Sequence, residues 1–175
     1  DALPICDVVH NLAYPIAGKR VLVLGAGGAT RGALLPMLAQ LPAELVIVNR
    51  TVAKAEELAA LGQQHQSGQV PVQGLGYDQL ADRGFDMVFN ASSSSLTAEL
   101  PPIRASVFAA GALAYDLTYG KGLTPFLKLA QQAGVTRLAD GVGMLAEQAA
   151  EAFAWWRGVR PDTQAVIRQL TVPLV

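Results

Sequence analysis

Residues 20–32 read RVLVLGAGGATRG, and the reading of this stretch decides the fold. Val21 to Leu24 form a short apolar run, the pattern of a strand buried on both faces. Gly25-Ala26-Gly27-Gly28 follows directly, and Ala29–Gln40 then carries apolar residues at helical spacing, with Pro42 beyond its end. Strand, glycine turn and helix together are the context in which a glycine pattern has chemical meaning. A backbone without Cβ atoms can touch a pyrophosphate, whose charge then meets the free N–H groups of the helix N-terminus. The third glycine of the G-x-G-x-x-G pattern is replaced by Thr30, with Gly32 two residues on. Taken alone, the turn leaves a plain tight connection between strand and helix as the lesser alternative.

Outward from that unit, strand-like and helix-like runs alternate. Arg20–Leu24, Leu45–Asn49, Val70–Gln73, Met87–Asn90 and Leu113–Leu117 read as short β-branched-rich strands, and Val135–Leu138 as a sixth. Thr51 is placed to cap a helix over Val52–Gly62, with Ala55, Leu58 and Ala59 toward the sheet and Lys54, Glu56 and Glu57 toward solvent. Thr124-Pro125 opens Phe126–Ala133, Asp140 starts a long helix toward Trp156, and Pro161-Asp162 opens a last short one. Gln63–Gln69 reads as a polar surface loop with a solvated His65. The expected fold is α/β: a doubly wound, mostly parallel sheet of about six strands with helices on both faces, the Rossmann-like arrangement.

Bulk properties narrow the function. The 175 residues are 51% hydrophobic and 15% charged, ample for a core and unlike a disordered chain. A net charge of −1 predicts neither a nucleic-acid partner nor an anionic membrane surface. A single cysteine, Cys6, excludes a disulfide framework and suits a reducing cytosol, so the expected location is cytoplasmic. Cys6 reads as a small buried hydrophobe. No metal-ligand spacing stands out, and no apolar run has the length of a membrane span. Asp1 is not a natural initiator, so the chain is expected to be the C-terminal part of something longer.

The second strand ends in Asn49-Arg50-Thr51, where a dinucleotide fold commonly carries Asp or Glu to hold the ribose of NAD. Asn49 removes that charge. Arg50 offers a planar cation for bidentate phosphate contact, Thr51 a hydroxyl, and Lys54 a second cation one turn along. The residues point to NADP over NAD; a capped helix with an exposed arginine is the plainer alternative. Ligands lie at the carboxyl ends of strands in such sheets, which singles out Asn90-Ala91-Ser92-Ser93-Ser94-Ser95, Tyr115–Gly122 and Asp140–Leu145. In the long helix, Gly141, Met144, Leu145, Gln148, Ala152, Trp155 and Trp156 fall on one broad, mainly apolar face, with Glu147 and Glu151 on the polar one. Gln148 thus interrupts an apolar face with an amide that needs a partner, either a backbone group or a polyhydroxylated ligand.

GAGGATRG, NRT, NASSSSL, YDLTYGKGLTPFL and DGVGMLAEQAAEAFAWW, in this order, resemble the C-terminal half of shikimate dehydrogenases, over nearly the whole chain. The resemblance implies NADPH-dependent reduction of 3-dehydroshikimate to shikimate, on the route to chorismate and the aromatic amino acids, in a cleft between two α/β domains. It makes residues 1–16 the connecting helix from an N-terminal substrate domain and residues 17–175 the NADP-binding domain. By position, Gly25, Ala26, Gly27, Gly28 and Ala29 would line the pyrophosphate. Asn49, Arg50, Thr51 and Lys54 would hold the 2′-phosphate, and Asn90, Ala91 and Ser92 would run beside the cofactor. Leu117 and Gly141 would flank the nicotinamide, and Tyr119 and Gln148 would reach the substrate hydroxyls. Asp1 would match the family's catalytic aspartate, while the catalytic lysine belongs to the substrate domain, leaving this chain inactive alone. The chain departs from the family in Ala2-Leu3-Pro4, where Gly-x-Gly follows the aspartate, and in Ser95, where a glycine is usual; Lys121 receives no proton-transfer role. A quinate/shikimate paralogue and a non-catalytic NADP-binding sensor are the alternatives. The partners implied are shikimate or 3-dehydroshikimate and the substrate domain, and a homodimer is left open.

Overall fold

Six parallel strands in the order β3-β2-β1-β4-β5-β6 form the frame of the computed structural model, which describes residues 3–92, 99–120 and 122–174. They are β1 (Arg20–Leu24), β2 (Glu44–Val48), β3 (Val72–Leu75), β4 (Phe85–Asn90), β5 (Phe108–Asp116) and β6 (Arg137–Asp140). Each strand pair is parallel, so each connection must cross over the sheet. The chain winds outward from β1 in one direction to β3, then returns to start again at β4. This is the doubly wound arrangement, and its switch point falls between β1 and β4.

The β1 run has no polar position because it lies at the middle of the sheet. Val21 and Val23 pack on one face with Leu45, Ile47, Met87 and Tyr115, against Leu34, Met37, Leu38 and Leu58. Leu22 and Leu24 pack on the other with Val46, Val48, Val88 and Ala114, against Phe126, Leu127 and Ala130. The first helical layer is α2 (Gly28–Ala39) and α3 (Val52–His65); α4 (Pro125–Gln132) belongs to the second. Thr124 Oγ1 accepts from the Leu127 N–H at 3.3 Å, so the sequence-predicted cap and proline start of α4 are present.

Several boundaries differ from the sequence expectation, β5 among them, which starts at Phe108 rather than Leu113. β3 starts at Val72 because Pro71 has no N–H to donate and both backbone groups of Val70 are held by the Gln66 side chain, at 2.8 and 2.9 Å. α3 runs through His65, whose Nδ1 lies 3.0 Å from the Leu61 carbonyl, so the polar loop is shorter than read. β6 is shifted to Arg137–Asp140, in register with Leu113–Asp116. Cys6 is half-buried rather than fully enclosed.

The largest correction concerns the long helix α5 (Val142–Arg157). Its buried side is Val142, Gly143, Ala146, Glu147 and Ala150, whereas Gln148, Trp155 and Trp156 are exposed. Small residues face inward because α1 (Leu3–Cys6) and the π-helical turn Asp7–Asn11 press closely on α5. A Cβ built on Gly143 would overlap the Asp7 carboxylate. Glu147 tolerates burial because its oxygens accept from Asn11 Nδ2 at 3.1 Å, Thr163 Oγ1 at 2.7 Å and Arg160 Nη2 at 2.6 Å. The Thr163 bond ties down α6 (Gln164–Leu170) at its start.

Asp7 continues this network inward. Its carboxylate accepts from Tyr115 Oη at 2.6 Å and from Asn11 Nδ2 at 2.8 Å. Burial pushes the Asp7 carboxyl above its ordinary value of 3.8. For Glu147, burial works against the charge, but the hydrogen bonds from Thr163, Asn11 and Arg160 outweigh it and hold the carboxyl below 4.5. The two act oppositely on stability. Folded Asp7 holds its proton more tightly than unfolded Asp7, so its contribution weakens as pH climbs above 3.8 toward the raised value. The Glu147 contribution is present above 4.5 and is lost as pH falls through its lowered value. Asp7→Asn is therefore expected to flatten the fall in thermal midpoint as pH rises above 3.8 while leaving the acid limb intact. A wild-type slope in that variant would remove Asp7 as its source.

Candidate nucleotide site

At the switch point, the ends of β1, β2, β3 and β4 open onto a groove of 560 Å³. It is lined by Gly25, Ala26 and Gly27 from the turn after β1, Asn49, Arg50, Thr51 and Lys54 from β2 and α3, and Ala91 and Ser92 after β4. Gly25, Ala26 and Gly27 of the predicted pyrophosphate segment thus meet the predicted 2′-phosphate residues, at least 22 positions away in the chain, in one cavity, which Gly28 and Ala29 do not line.

The glycine turn is shaped by its neighbours. Gly25 has φ +104°, and a Cβ there would lie 2.9 Å from the Ala91 carbonyl oxygen, so both conformation and space require glycine. Gly27 and Gly28 face open space, leaving the backbone at the start of α2 accessible. Thr30 Oγ1 donates to the Gly25 carbonyl at 2.6 Å and is buried. The residue at the third-glycine position therefore ties the turn closed from inside the helix. These features match what a dinucleotide pyrophosphate needs, open backbone donors at a helix N-terminus.

Asn49 works as a bridge. Its Oδ1 accepts from the Ala26 N–H at 3.2 Å and its Nδ2 donates to the Thr51 carbonyl at 3.0 Å, joining the glycine turn to the start of α3. An aspartate could make only the first of these bonds. Thr51 stands at the N-cap of α3, but its hydroxyl makes no capping hydrogen bond, contrary to the sequence expectation. Arg50, Thr51 and Lys54 are exposed, and among the described residues none of their side chains has a hydrogen bond or ion pair.

The remaining predicted residues divide into two groups. Asn90 is fully buried at the end of β4; its Nδ2 reaches Asp116 Oδ2 at 3.3 Å and its Oδ1 accepts from Ser92 Oγ at 2.7 Å, so it shapes the loop from beneath. Ala29 lies beside the groove, in a small apolar cavity that Leu117 also lines. Leu117 and Gly141 are brought together: a Cβ on Gly141 would overlap the Leu117 carbonyl, and the Gly141 N–H donates to the Thr118 carbonyl at 3.2 Å. Asp140 supports that junction by accepting from the Gly120 and Val142 N–H groups, both at 3.2 Å. Tyr119 and Gln148 are exposed and do not line the groove. Asp1, Lys121 and Ser95 lie outside the described residues.

Sequence reasoning missed one wall of the groove, formed by Tyr77, Glu99, Leu100, Pro101 and Pro102. Tyr77 follows the end of β3, so the rule that ligands gather at strand carboxyl ends would have flagged it. Among the described residues, no group of three or more His, Cys, Asp or Glu side chains could hold a metal ion, and no helix is long and apolar enough to cross a membrane.

A doubly wound parallel sheet with an open glycine turn and a cationic rim at its switch point defines a dinucleotide-binding fold of the Rossmann type. The family model for shikimate / quinate 5-dehydrogenase matches residues 7–99, and that for the shikimate 5′-dehydrogenase C-terminal domain matches residues 141–171. The chain belongs to the shikimate/quinate 5-dehydrogenase family. It is 54% identical over 164 residues to the shikimate dehydrogenase (NADP(+)) of Chromobacterium violaceum, covering 94% of this chain and 59% of that protein. It is 50% identical over 169 residues to the enzyme of the same name from Dechloromonas aromatica, covering 97% and 60%. Among solved structures, an Ael1 enzyme from Pseudomonas putida superposes with TM-score 0.91 at 58% identity, over 99% of this chain and 62% of that one. The shikimate 5-dehydrogenase of Thermus thermophilus, solved with NADP(H) and shikimate, gives 0.74 at 27% identity, over 97% and 62%. The chain thus spans about three fifths of the length of these relatives.

Proposed function

We propose that this chain is the NADP-binding part of a shikimate dehydrogenase that reversibly interconverts shikimate and 3-dehydroshikimate. The observation that carries the reading is the groove uniting the open Gly25–Gly27 turn with Arg50, Thr51 and Lys54. In it, backbone N–H groups at the start of α2 hold the pyrophosphate, and the unpaired cations beside α3 hold the 2′-phosphate. Asn49 sets the spacing between these two sites and presents no carboxylate to repel the phosphate. The nicotinamide, when bound, supplies the hydride acceptor or donor. The Leu117–Gly141 junction gives it a floor, and Tyr119 and Gln148, both exposed, offer hydroxyl and amide groups to the substrate. The proton at the carbonyl oxygen is handled by a lysine from the substrate domain, the part of the relatives that this chain does not span, with Asp1 as its partner. Hydride transfer needs the substrate held against the ring, and one wall of that cleft comes from elsewhere.

The 175-residue polypeptide is therefore expected to bind NADP⁺ more tightly than NAD⁺ while oxidising shikimate at a negligible rate. Calorimetric titration with each nucleotide and an absorbance assay for NADPH formation test the two halves separately. Preference for NAD⁺ would refute the cofactor reading; steady turnover of shikimate would refute the division of catalytic groups.

A further inference from the structure

Tyr77 sits where the nucleotide reading needs one more group. The end of β3 is tied to the cationic rim by the Asn49 N–H, which donates to the Leu75 carbonyl at 3.1 Å. One residue on, Gly76 lies so close to α3 that a Cβ on it would stand 2.9 Å from Val52 Cγ2. Tyr77 is thereby set beside the first turn of α3, the turn that carries Thr51 and Lys54, and it lines the same groove as Arg50. It is half-buried and packs against the sheet face that carries Leu22, Leu24, Val46 and Val48. Among the described residues, its hydroxyl has no hydrogen-bond partner.

We infer that the Tyr77 hydroxyl donates a hydrogen bond to the 2′-phosphate of the bound nucleotide and so helps select NADP over NAD, an assignment that rests on the nucleotide reading above. A phosphate monoester has three acceptor oxygens, more than one guanidinium can satisfy, and a phenol lining the same groove as Arg50 adds a further donor. The hydroxyl keeps its proton at neutral pH and so can donate: burial pushes the Tyr77 phenol up, and the charge of Arg50 only partly offsets this. The ring's apolar packing fixes the oxygen before the ligand arrives, which lowers the ordering cost of the contact.

Tyr77→Phe keeps the ring and its packing and removes only the donor. Titrations of the wild-type chain and this variant with adenosine 2′,5′-bisphosphate, 5′-AMP, NADP⁺ and NAD⁺ separate the contributions. The variant is expected to bind NADP⁺ and the bisphosphate about five- to tenfold more weakly, the scale of one partly exposed hydrogen bond to a charged group, with 5′-AMP and NAD⁺ unchanged. Equal weakening of all four ligands would overturn the inference, since it would place the tyrosine on the shared adenosine. Unchanged binding of the bisphosphate would overturn it as well while leaving the cofactor reading intact. Failure of the wild-type chain to bind any of the four would overturn both.

Discussion

Gly74→Ala is expected to destabilise the chain by about 3 kcal/mol, a large loss for one methyl group in a chain of this size. Gly74 lies in β3, and a Cβ built there would overlap the backbone of Ala55 and the Glu56 nitrogen, near the start of α3. A flexible side chain could yield; helix backbone cannot do so without moving the helix. α3 is also seated on the sheet through the fully buried Ala55 and Leu58. The added methyl must therefore push apart two elements that are packed at backbone contact, with overpacking strain at the upper end of its usual range. For a domain of this size the thermal midpoint should fall by roughly 6–12 °C. Because α3 carries Thr51 and Lys54, NADP⁺ binding should weaken with it. Gly32→Ala supplies the contrast. Gly32 is an exposed position within α2 whose Cβ would meet nothing within 4 Å, so that change is expected to stabilise by about 0.5–1 kcal/mol. If both substitutions shift the midpoint alike, the close packing of β3 on α3 is wrong.

Arg50→Ala is expected to weaken NADP⁺ binding about 30- to 100-fold while changing NAD⁺ affinity less than about threefold. The estimate corresponds to about 2–3 kcal/mol for a bidentate guanidinium–phosphate contact. Arg50 suits this role because it has no ion-pair partner among the described residues, unlike Arg20, Arg31, Arg83 and Arg160. Its free charge is already at the groove, so binding breaks no existing pair. The site is exposed, so the preference for NADP⁺ should also shrink as salt is raised, since screening acts on the phosphate contact alone. An unchanged NADP⁺/NAD⁺ ratio in the variant would show that the 2′-phosphate, if bound, sits elsewhere. Lys54→Ala, one turn along α3, should show the same selectivity at smaller size, because an ammonium makes a single point contact.

The course of the chain was largely legible from local pattern. The glycine turn after β1, the cap and proline before α4 and the alternation of strands with helices depend on neighbouring residues, and each reappears in the structure. Where the reading slipped, a side chain had taken over a backbone partner's role. The Gln66 side chain holds Val70 outside the ladder, and Asp140 serves two N–H groups of separate segments. Tyr77 lies past the end of β3, where the strand-end rule points, but its meeting with Arg50 in one groove depends on β3 pairing with β2.

Helix α5 shows most clearly the division between what local sequence and tertiary packing decide. The sequence by itself determined that a long helix runs from near Asp140 toward Trp156, that a strand, a glycine turn and an NRT segment stand in the order of a dinucleotide fold, and that no carboxylate follows β2. Only the tertiary structure decided which side of α5 turns inward. Apolar bulk favoured the side of Trp155 and Trp156, yet the buried side is Gly143, Ala146, Glu147 and Ala150. Close helix contact rewards small side chains, and a buried carboxylate is stable when Arg160, Thr163 and Asn11 surround it. Those partners lie as far as 136 residues away, so no window along the chain contains them. Periodicity sets the angle between side chains around a helix; the neighbours brought up by the fold choose which angle is buried.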